Sequence, residues 1–328
     1  MLGYKKIPYR GADHGGFDDE WGLHSGCSEW WYATGCLNGE DGRLYSYQIT
    51  ILHVKISLIR PYLVMLALTD YAAGRHYYYQ NIRLRSKDVV ISRDAAGYGG
   101  MVMIRKGEAG MSVTVWHERF SLDLELGYGK GAVWHCDNGL LRMGIPGERE
   151  TTVYYSYTNM PTEGTLTLNK KAVAVTGKTW FDKQGGPYSI MNRLCMWEWF
   201  SLRFFDDEEI MLFSFPQDDY QDGTYIRLDG SAERLRDYTI TPTEFTYPDG
   251  KTVYSSAWRV ALGGIKEGSY SLRPLMKGQM NIGYYELLAG VYNDADEQVG
   301  LCFVELLPGA RNKKYPVTIF ARPKGAKE

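Results

Sequence analysis

The sequence predicts an all-β protein built from two barrel domains, and three observations support that fold class. Short alternating segments of strand-forming residues recur along the whole chain, and turn pairs such as Asn38-Gly39 and Asp249-Gly250 separate them. Long amphipathic helical patterns are missing, and only residues 70–85 offer room for one or two helical turns. The 328 residues exceed what one small barrel needs and suit two barrels.

The clearest strand signals come from the middle of the chain. Residues 101–104 and 111–116 flank a glycine turn, and residues 121–126 alternate as SLDLEL. Residues 164–180, GTLTLNKKAVAVTGKTW, predict a hairpin with its turn near 169–171. A Gly-Gly-Pro break at 185–187 follows, and the strand pattern then restarts with MWEWFSLRF. We therefore predict an N-terminal domain over 1–188 and a C-terminal domain over 189–328.

Composition excludes several classes of function. The chain has 37 basic and 39 acidic residues, a formal net charge of −2, which argues against a nucleic-acid binder that relies on phosphate neutralisation. The longest apolar stretch, residues 63–68, is too short to span a bilayer, so no integral membrane segment is expected. The start of the chain lacks the apolar core of a secretory signal, and the five cysteines form no CxxC pair. These features predict a reduced, cytoplasmic protein.

The densest aromatic cluster is Glu29-Trp30-Trp31-Tyr32. On a strand, Glu29 and Trp31 face one side, and Trp30 and Tyr32 face the other. Burial of a carboxyl group beside an indole raises its pKa, so we expect Glu29 to act as an acid or as a hydrogen-bond partner for substrate. Alternatively, the tryptophans fill a barrel core, and an arginine or backbone groups satisfy Glu29.

A second cluster runs from Trp180 to Gly186 and reads WFDKQGG. On an extended chain Trp180, Asp182 and Gln184 share a face. A buried aspartic acid in such a pocket protonates an alkene or polarises a carbonyl, which makes Asp182 a candidate acid. The alternative is a turn aspartate that caps the following glycine loop.

Two further pairs of aromatic residues share a face at strand spacing. Trp197 pairs with Trp199 in this way, and Tyr155 pairs with Tyr157. Aromatic walls stabilise a developing carbocation by about 0.5–2 kcal/mol per ring. The alternative for each of these residues is a place in the hydrophobic core.

Motifs for metals and common cofactors are missing from the sequence. The six histidines show neither HxH nor HExxH spacing, and no P-loop, GxSxG or strand-coupled GxGxxG occurs. We therefore predict neither a metal nor a cofactor. His24 and His53 are candidates for general bases or for core positions.

Five segments, taken in order, resemble the carotenoid 1,2-hydratase (hydroxyneurosporene synthase) and AttH-like superfamily. They are EWWYATGCL at 29–37, VYYSYTNMPTEGTLTL at 153–168, VTGKTWFDKQGG at 175–186, WEWFSLRFFDDEEIMLFSF at 197–215 and GYYELLAGVYN at 283–293. The resemblance implies two lipocalin-like β-barrel domains in tandem, with a ligand cavity at or near their interface. Activities in the superfamily include hydration of a carotenoid alkene, hydration of a prenyl group by kievitone hydratase, and formation of decalins by fungal Diels–Alderases. No redox or metal cofactor is implied.

The resemblance also carries residue roles to matching positions. Asp182 matches the acidic residue of the W-x-D element and Trp180 its aromatic neighbour, while Glu29 and Trp31 match the EWWY element. The family often has D-H-Q-W-G, and here Lys183 and Gly185 replace the histidine and the tryptophan. We expect the glycine to enlarge the pocket and the lysine to lower the pKa of Asp182.

Together these observations predict a cofactor-independent lyase or isomerase of the hydratase type. Its substrate is a hydrophobic small molecule, a terpenoid, prenylated or polyene compound with a reactive C=C bond. The alternatives are a Diels–Alderase-type pericyclase and a non-catalytic carrier of a lipophilic ligand. Asp182 and Glu29 are the predicted catalytic residues. The predicted substrate-binding residues are Trp31, Tyr32, Tyr155, Trp180, Gln184, Trp197, Trp199 and Tyr285.

Overall fold

A computed structural model describes residues 6–55, 61–83, 88–143, 151–188, 195–281 and 284–311. In these ranges the regular structure is β-strand, apart from one short 3-10 helix at Gly11–Asp13. Two antiparallel sheets each curl into a half-barrel, which confirms the predicted fold class of two tandem lipocalin-like domains. Across the same ranges, no helix reaches the length and hydropathy that a membrane span requires.

The first sheet has thirteen strands. They are β1 (Ser28–Gly39), β2 (Leu44–His53), β3 (Tyr62–Asp70), β4 (Arg75–Arg83), β5 (Val89–Ile91), β6 (Ala95–Tyr98), β7 (Val102–Lys106), β8 (Gly110–Trp116), β9 (Phe120–Gly127), β10 (Ala132–Trp134), β11 (Leu140–Arg142), β12 (Thr151–Leu168) and β13 (Lys171–Gly186). Their spatial order is β4-β3-β2-β1-β13-β12-β9-β8-β7-β6-β5, and β10 and β11 both pair with β12. The first strand of the sheet therefore lies beside the last one.

The second sheet has ten strands. They are β14 (Glu198–Phe204), β15 (Glu209–Phe215), β16 (Tyr220–Ile226), β17 (Ala232–Leu235), β18 (Tyr238–Thr246), β19 (Tyr254–Leu262), β20 (Gly268–Pro274), β21 (Met280–Asn281), β22 (Tyr284–Tyr292) and β23 (Gln298–Leu306). Their order is β17-β16-β15-β14-β23-β22-β20-β19-β18, with β21 paired to β22. As in the first sheet, the first strand pairs with the last.

The predicted hairpin is confirmed as the long pair β12–β13. Its turn residues, Asn169 and Lys170, have φ angles of 51° and 68°. Type I′ turns need positive φ at both central positions, and their twist matches that of the flanking strands. The turn thus fixes the start of the pairing at Leu168 and Lys171.

The expectation of helical turns within residues 70–85 is wrong for 70–83, the part of this segment that the structure describes. Strand β3 extends to Asp70, and β4 begins at Arg75 after a tight turn that contains Gly74 at φ 60°. Every residue of β3 is buried, whereas most residues of the edge strand β4 are half-buried. Neither strand therefore shows the apolar–polar alternation that marks a strand in sequence.

The described residues form two compact units, each with its own hydrophobic core. The first holds 6–134, Asn138–Leu140 and 151–188, and the second holds His135–Asp137, 141–143 and 195–311. Trp31 and Phe181 belong to the first core, and Phe200 and Trp258 belong to the second. The predicted domain boundary between residues 188 and 189 lies at the edge of a described range and stays a prediction.

Candidate active site

The central strands β1, β13 and β12 lie side by side and present two different faces. Tyr32 and Ser156 flank Asp182 in register, and paired residues project to the same face of a sheet. Trp180 and Gln184 share this face with Asp182, as the sequence alternation predicts. We call it the acid face. The opposite side is the inner face, because its residues Trp31 and Phe181 belong to the first core.

Three side chains hold the carboxyl group of Asp182 on the acid face. Trp180 donates its indole N–H to Oδ1 at 2.5 Å, Tyr154 donates its hydroxyl at 3.0 Å, and Ser156 donates its hydroxyl to the same oxygen. Asp182 is 3% exposed. Three donors thus fix the orientation of this buried carboxyl group.

Polar and aromatic groups extend the acid face on either side of Asp182. Gln184 donates its amide to Thr152 Oγ1 at 2.8 Å. Trp30 packs edge-on against Tyr188, with 6.1 Å between the ring centroids. Tyr32, Trp180 and Gln184 are all buried. The face therefore combines aromatic rings with hydrogen-bonding groups around one carboxyl.

Glu29, Trp31 and Tyr155 do not join Asp182, because they lie on the inner face. In register, Glu29 faces Gly185, while Trp31 and Tyr155 both face Lys183. Both predicted catalytic carboxylates therefore lie on the same three strands but on opposite sides of them. Tyr155 instead contacts Trp134, with 5.4 Å between their ring centroids.

Lys183 and Gly185, the two departures from the family pattern, also lie on the inner face. The ammonium of Lys183 is 2.7 Å from Glu29 Oε2 and 4.5 Å from the centroid of the Trp31 ring. Lys183 therefore pairs with Glu29 on the face opposite Asp182, because successive side chains of a strand point to opposite faces, and its effect on the pKa of Asp182 stays a prediction. Gly185 does not enlarge the acid face. A Cβ atom at this position would lie 2.4 Å from Glu29 Cβ.

The pKa of Glu29 also differs from the sequence-based expectation. Burial by itself raises the pKa of this carboxyl, but the Lys183 ammonium and the hydrogen bond to His24 outweigh burial and hold it below its ordinary value. The backbone N–H of His24 adds a hydrogen bond to Oε1 at 2.6 Å. Glu29 is thus a buried carboxylate with cationic and backbone partners, close to the alternative weighed above, with a lysine in place of an arginine.

The remaining predicted site residues belong to the second unit. Trp197 donates its indole N–H to Glu305 Oε1 at 3.0 Å and packs edge-on against Phe213. Trp199 faces Phe213 in register, and it is buried. Tyr285 lies on the other side of this sheet, in the second core. The second unit therefore separates Trp199 from Tyr285 as the first unit separates Asp182 from Glu29.

A cleft of about 520 Å³ in the first unit is a poor match for a lipophilic substrate. Five of its eight lining residues are charged, and none belongs to the predicted site; the lining is Asp18, Arg93, Asp94, Lys106, Gly107, Glu108, Tyr128 and Tyr157. Apolar ligands are usually bound by sites lined mainly with apolar and aromatic groups. This cleft therefore does not support binding of a polyene or prenyl group.

Sequence reasoning missed two of the groups that hold Asp182, namely Tyr154 and Ser156. They lie two residues apart on β12, next to Tyr155 and Tyr157, which the sequence analysis singled out. The signal that identifies them is the register of β12 against β13. That register shifts between Tyr157 and Met160.

Comparison with known proteins agrees with this architecture. The profile of the AttH-like family matches residues 12–309. An AttH protein from Nitrosomonas europaea, of known crystal structure, is 21% identical to this chain with a TM-score of 0.82, over 92% of this chain and 99% of that one. Kievitone hydratase from Nectria haematococca is 16% identical with a TM-score of 0.69, over 85% of this chain and 88% of that one. No curated protein matches the chain. Because the family profile covers most of its residues, this protein belongs to the AttH-like family.

Proposed function

We propose that this protein is a hydratase-type lyase that acts on a C=C bond of a lipophilic terpenoid, prenylated or polyene molecule. Asp182 is the catalytic acid. One observation carries the proposal: a buried carboxyl group accepts hydrogen bonds from Trp180, Tyr154 and Ser156 on a single oxygen, Oδ1. In this proposal the Asp182 carboxyl group, held in one orientation by these donors, carries the proton that is transferred.

The reaction follows from this arrangement in two steps. Asp182 transfers its carboxyl proton to the less substituted carbon of a trisubstituted alkene, and the other carbon becomes a tertiary cation. A water molecule then adds its oxygen to the cation and releases a proton, which returns to Asp182. The substrate gains one water and the protein is unchanged. The reverse sequence is a dehydration.

The rings of the acid face support the cationic intermediate. Tyr32 lies in register with Asp182 on the neighbouring strand, and Trp180 and Tyr154 both donate hydrogen bonds to its carboxyl group. An aromatic ring beneath a cation contributes about 0.5–2 kcal/mol, more when water is excluded. Two or three such rings lower the barrier by an amount comparable to that of the acid itself.

The comparison with solved structures supports the same reaction class. The fold is shared with kievitone hydratase, a protein whose name describes water addition. We extend that reaction type to this chain because Asp182 supplies the acid that water addition to an alkene needs. Glu29 does not contribute to this step, since its carboxylate lies on the inner face.

Incubation with a panel of prenylated phenols, linear polyenes and acyclic terpenes tests the proposal. We expect a product that differs from its substrate by one water, and no product from Asp182→Asn. The matched control is Asp249→Asn, since Asp249 also accepts three hydrogen bonds, from Lys251 N, Thr252 N and Thr252 Oγ1, but at an exposed turn of the second unit.

A product of unchanged mass indicates an isomerase or pericyclase instead. A ligand that binds and returns unchanged indicates a carrier. Either result overturns the proposal.

A further inference from the structure

A chain of four buried ionisable side chains crosses the inner face directly behind Asp182. The ammonium of Lys183 is 2.7 Å from Glu29 Oε2, which is 3.1 Å from His24 Nδ1. His24 Nε2 is in turn 2.9 Å from Glu20 Oε2. All four residues are at most 6% exposed. We call these residues the Glu29 cluster.

The Glu29 cluster is balanced in charge when His24 is protonated. Burial lowers the pKa of His24, but its hydrogen bonds to Glu20 and Glu29 outweigh burial and raise that pKa overall. Burial raises the pKa of Glu20, and its hydrogen bonds with His24 and the Gly15 N–H outweigh burial and lower it. Two carboxylates then face two cations. Such an arrangement is stable only when close ion pairs offset the cost of burying the charges, and the ion-pair distances here are 2.7, 3.1 and 2.9 Å.

The cluster joins the segment before β1 and the start of β1 to β13, which is distant in sequence. Glu20 and His24 belong to the segment before β1, Glu29 lies at the start of β1, and Lys183 lies on β13 next to Asp182. A second contact joins β1 to the segment before it, since Trp31 donates its indole N–H to the carbonyl of Trp21 at 3.0 Å.

The backbone at position 185 is adapted to the cluster. Gly185 faces Glu29 in register, and a Cβ atom there would lie 2.4 Å from Glu29 Cβ and 3.3 Å from its Oε2. A larger side chain at 185 would displace the carboxylate that Lys183 binds. Lys183 binds the Glu29 carboxylate, and Gly185 leaves the space that this carboxylate occupies.

We propose that Lys183 and Glu29 are positioning residues for the reaction of Asp182. Their ion pair fixes the β13 backbone on the inner face, so that the next side chain, Asp182, is held in place on the acid face against Trp180, Tyr154 and Ser156. This inference rests on the proposed function, in which Asp182 is the acid. Neither Lys183 nor Glu29 touches the substrate.

The first test is spectroscopic and needs no substrate. The indole N–H of Trp180 reports the position of the Asp182 carboxyl, because it donates to Oδ1 at 2.5 Å. We expect its ¹⁵N–¹H resonance, assigned with Trp180→Phe, to shift in Lys183→Met. The matched control is Lys266→Met. Like Lys183, Lys266 combines ion pairing with an aromatic contact: it pairs with Asp206 and Glu208, and it lies 4.5 Å from the centroid of the Phe204 ring. The Trp180 resonance stays in place in that control. An unshifted resonance in Lys183→Met overturns the inference.

The second test uses turnover on the substrate identified by the panel. We expect Lys183→Met to lower kcat by about 10-fold or more while KM changes by less than about 3-fold, because a positioning defect acts in the transition state. The double variant Lys183→Met/Glu29→Gln removes both charges and keeps the shapes, so it covers the case in which the single variant fails to fold. We expect it to fold and to recover part of kcat. Loss of turnover in Asp182→Asn together with normal kcat in Lys183→Met rejects the positioning role alone. Normal turnover in Asp182→Asn rejects the proposed function.

Discussion

The two units place a buried glutamate at the same point of their sheets but pair it differently. Glu29 is the second residue of β1, in the sequence EWW, and Glu198 is the first residue of β14, in the sequence EWF. Both are at most 1% exposed. Lys183 makes the ion pair with Glu29. Arg311 donates to both carboxylate oxygens of Glu198 at 2.8 and 2.6 Å, and Ser255 donates to one of them.

The difference lies in where each cation comes from. Lys183 lies within β13, and its neighbour Asp182 carries three hydrogen bonds on the other side of the strand. Arg311 follows the last strand of its sheet and lies outside any strand. Each unit therefore has an ion pair at the start of its first strand, and in the first unit the cation lies on a strand next to Asp182, which accepts its hydrogen bonds on the opposite face. On our proposal, the Lys183–Glu29 pair positions Asp182, whereas the Arg311–Glu198 pair contributes only to stability.

The largest expected effect is the fall in kcat when the carboxyl group of Asp182 is replaced. Asp182→Asn keeps the shape of the side chain but cannot donate a proton as an acid, so we expect kcat to fall by about 100-fold or more. Single-turnover kinetics on the substrate from the panel measure this directly. A variant within a few-fold of the wild type would remove Asp182 from the mechanism.

The second effect compares the two ion pairs. Lys183→Met and Arg311→Met each leave a buried carboxylate without its main partner, so we expect each to lower the free energy of unfolding by about 3 kcal/mol. Urea unfolding measures both losses. Only Lys183→Met is expected to lower kcat beyond what the loss of folded protein explains. Equal effects on kcat would show that the contrast between the units has no functional meaning.

The third effect concerns the residue opposite each glutamate. Gly185 faces Glu29, whereas Leu306 faces Glu198. The first site has no room for a Cβ atom, so we expect Gly185→Ala to lower the free energy of unfolding by about 1–3 kcal/mol. Leu306→Met conserves volume in the second unit and serves as the control, with a smaller expected loss. Wild-type stability in Gly185→Ala would contradict the close contact.

The smallest expected effect is a pH dependence of the free energy of unfolding that arises from His24 in the first unit. The folded state raises the pKa of His24 above its unfolded value of about 6.5. Its stabilising contribution is therefore complete below that pH and is lost as the pH rises through the folded pKa. Urea unfolding at a series of pH values is expected to show this loss in the wild type and not in His24→Asn. If the free energy of unfolding depends on pH in the same way in both proteins, a group other than His24 is responsible for the titration.

The sequence was sufficient for the fold and for the two faces of each strand. Period-two alternation correctly separates Glu29 and Trp31 from Trp30 and Tyr32, and it groups Trp180 with Asp182. The hairpin turn at Asn169 and Lys170 also follows from local sequence. These features depend on residues that are neighbours in the chain.

The arrangement around Asp182 depends on a β-bulge that the sequence does not mark. Counted from the turn, regular pairing would set Tyr157 opposite Asp182. The register shift between Tyr157 and Met160 instead brings Ser156 there. A shift of one residue reverses the face of every later side chain, which sends Tyr155 to the inner face and Tyr154 to the acid face.

Sequence patterns also do not predict the Glu29 cluster. Glu29 and Lys183 are 154 residues apart, and only the pairing of β1 with β13 brings them together. Because Lys183 and Asp182 are adjacent in the chain, an effect of the lysine on the pKa of Asp182 was expected from the sequence, but a pairing of Lys183 with Glu29 was not. Adjacent strand residues point in opposite directions, so sequence proximity was the wrong guide.

Deuterium incorporation is the measurement that tests the central claim most directly. The reaction of the wild-type protein with its panel substrate is run in D₂O, and the product is returned to ordinary water before mass spectrometry. Acid catalysis by Asp182 predicts a product with one added water and one non-exchangeable deuterium on the carbon that received the proton, and no such product from Asp182→Asn. A product without carbon-bound deuterium would contradict protonation of the alkene and, with it, the account of Asp182 as the catalytic acid.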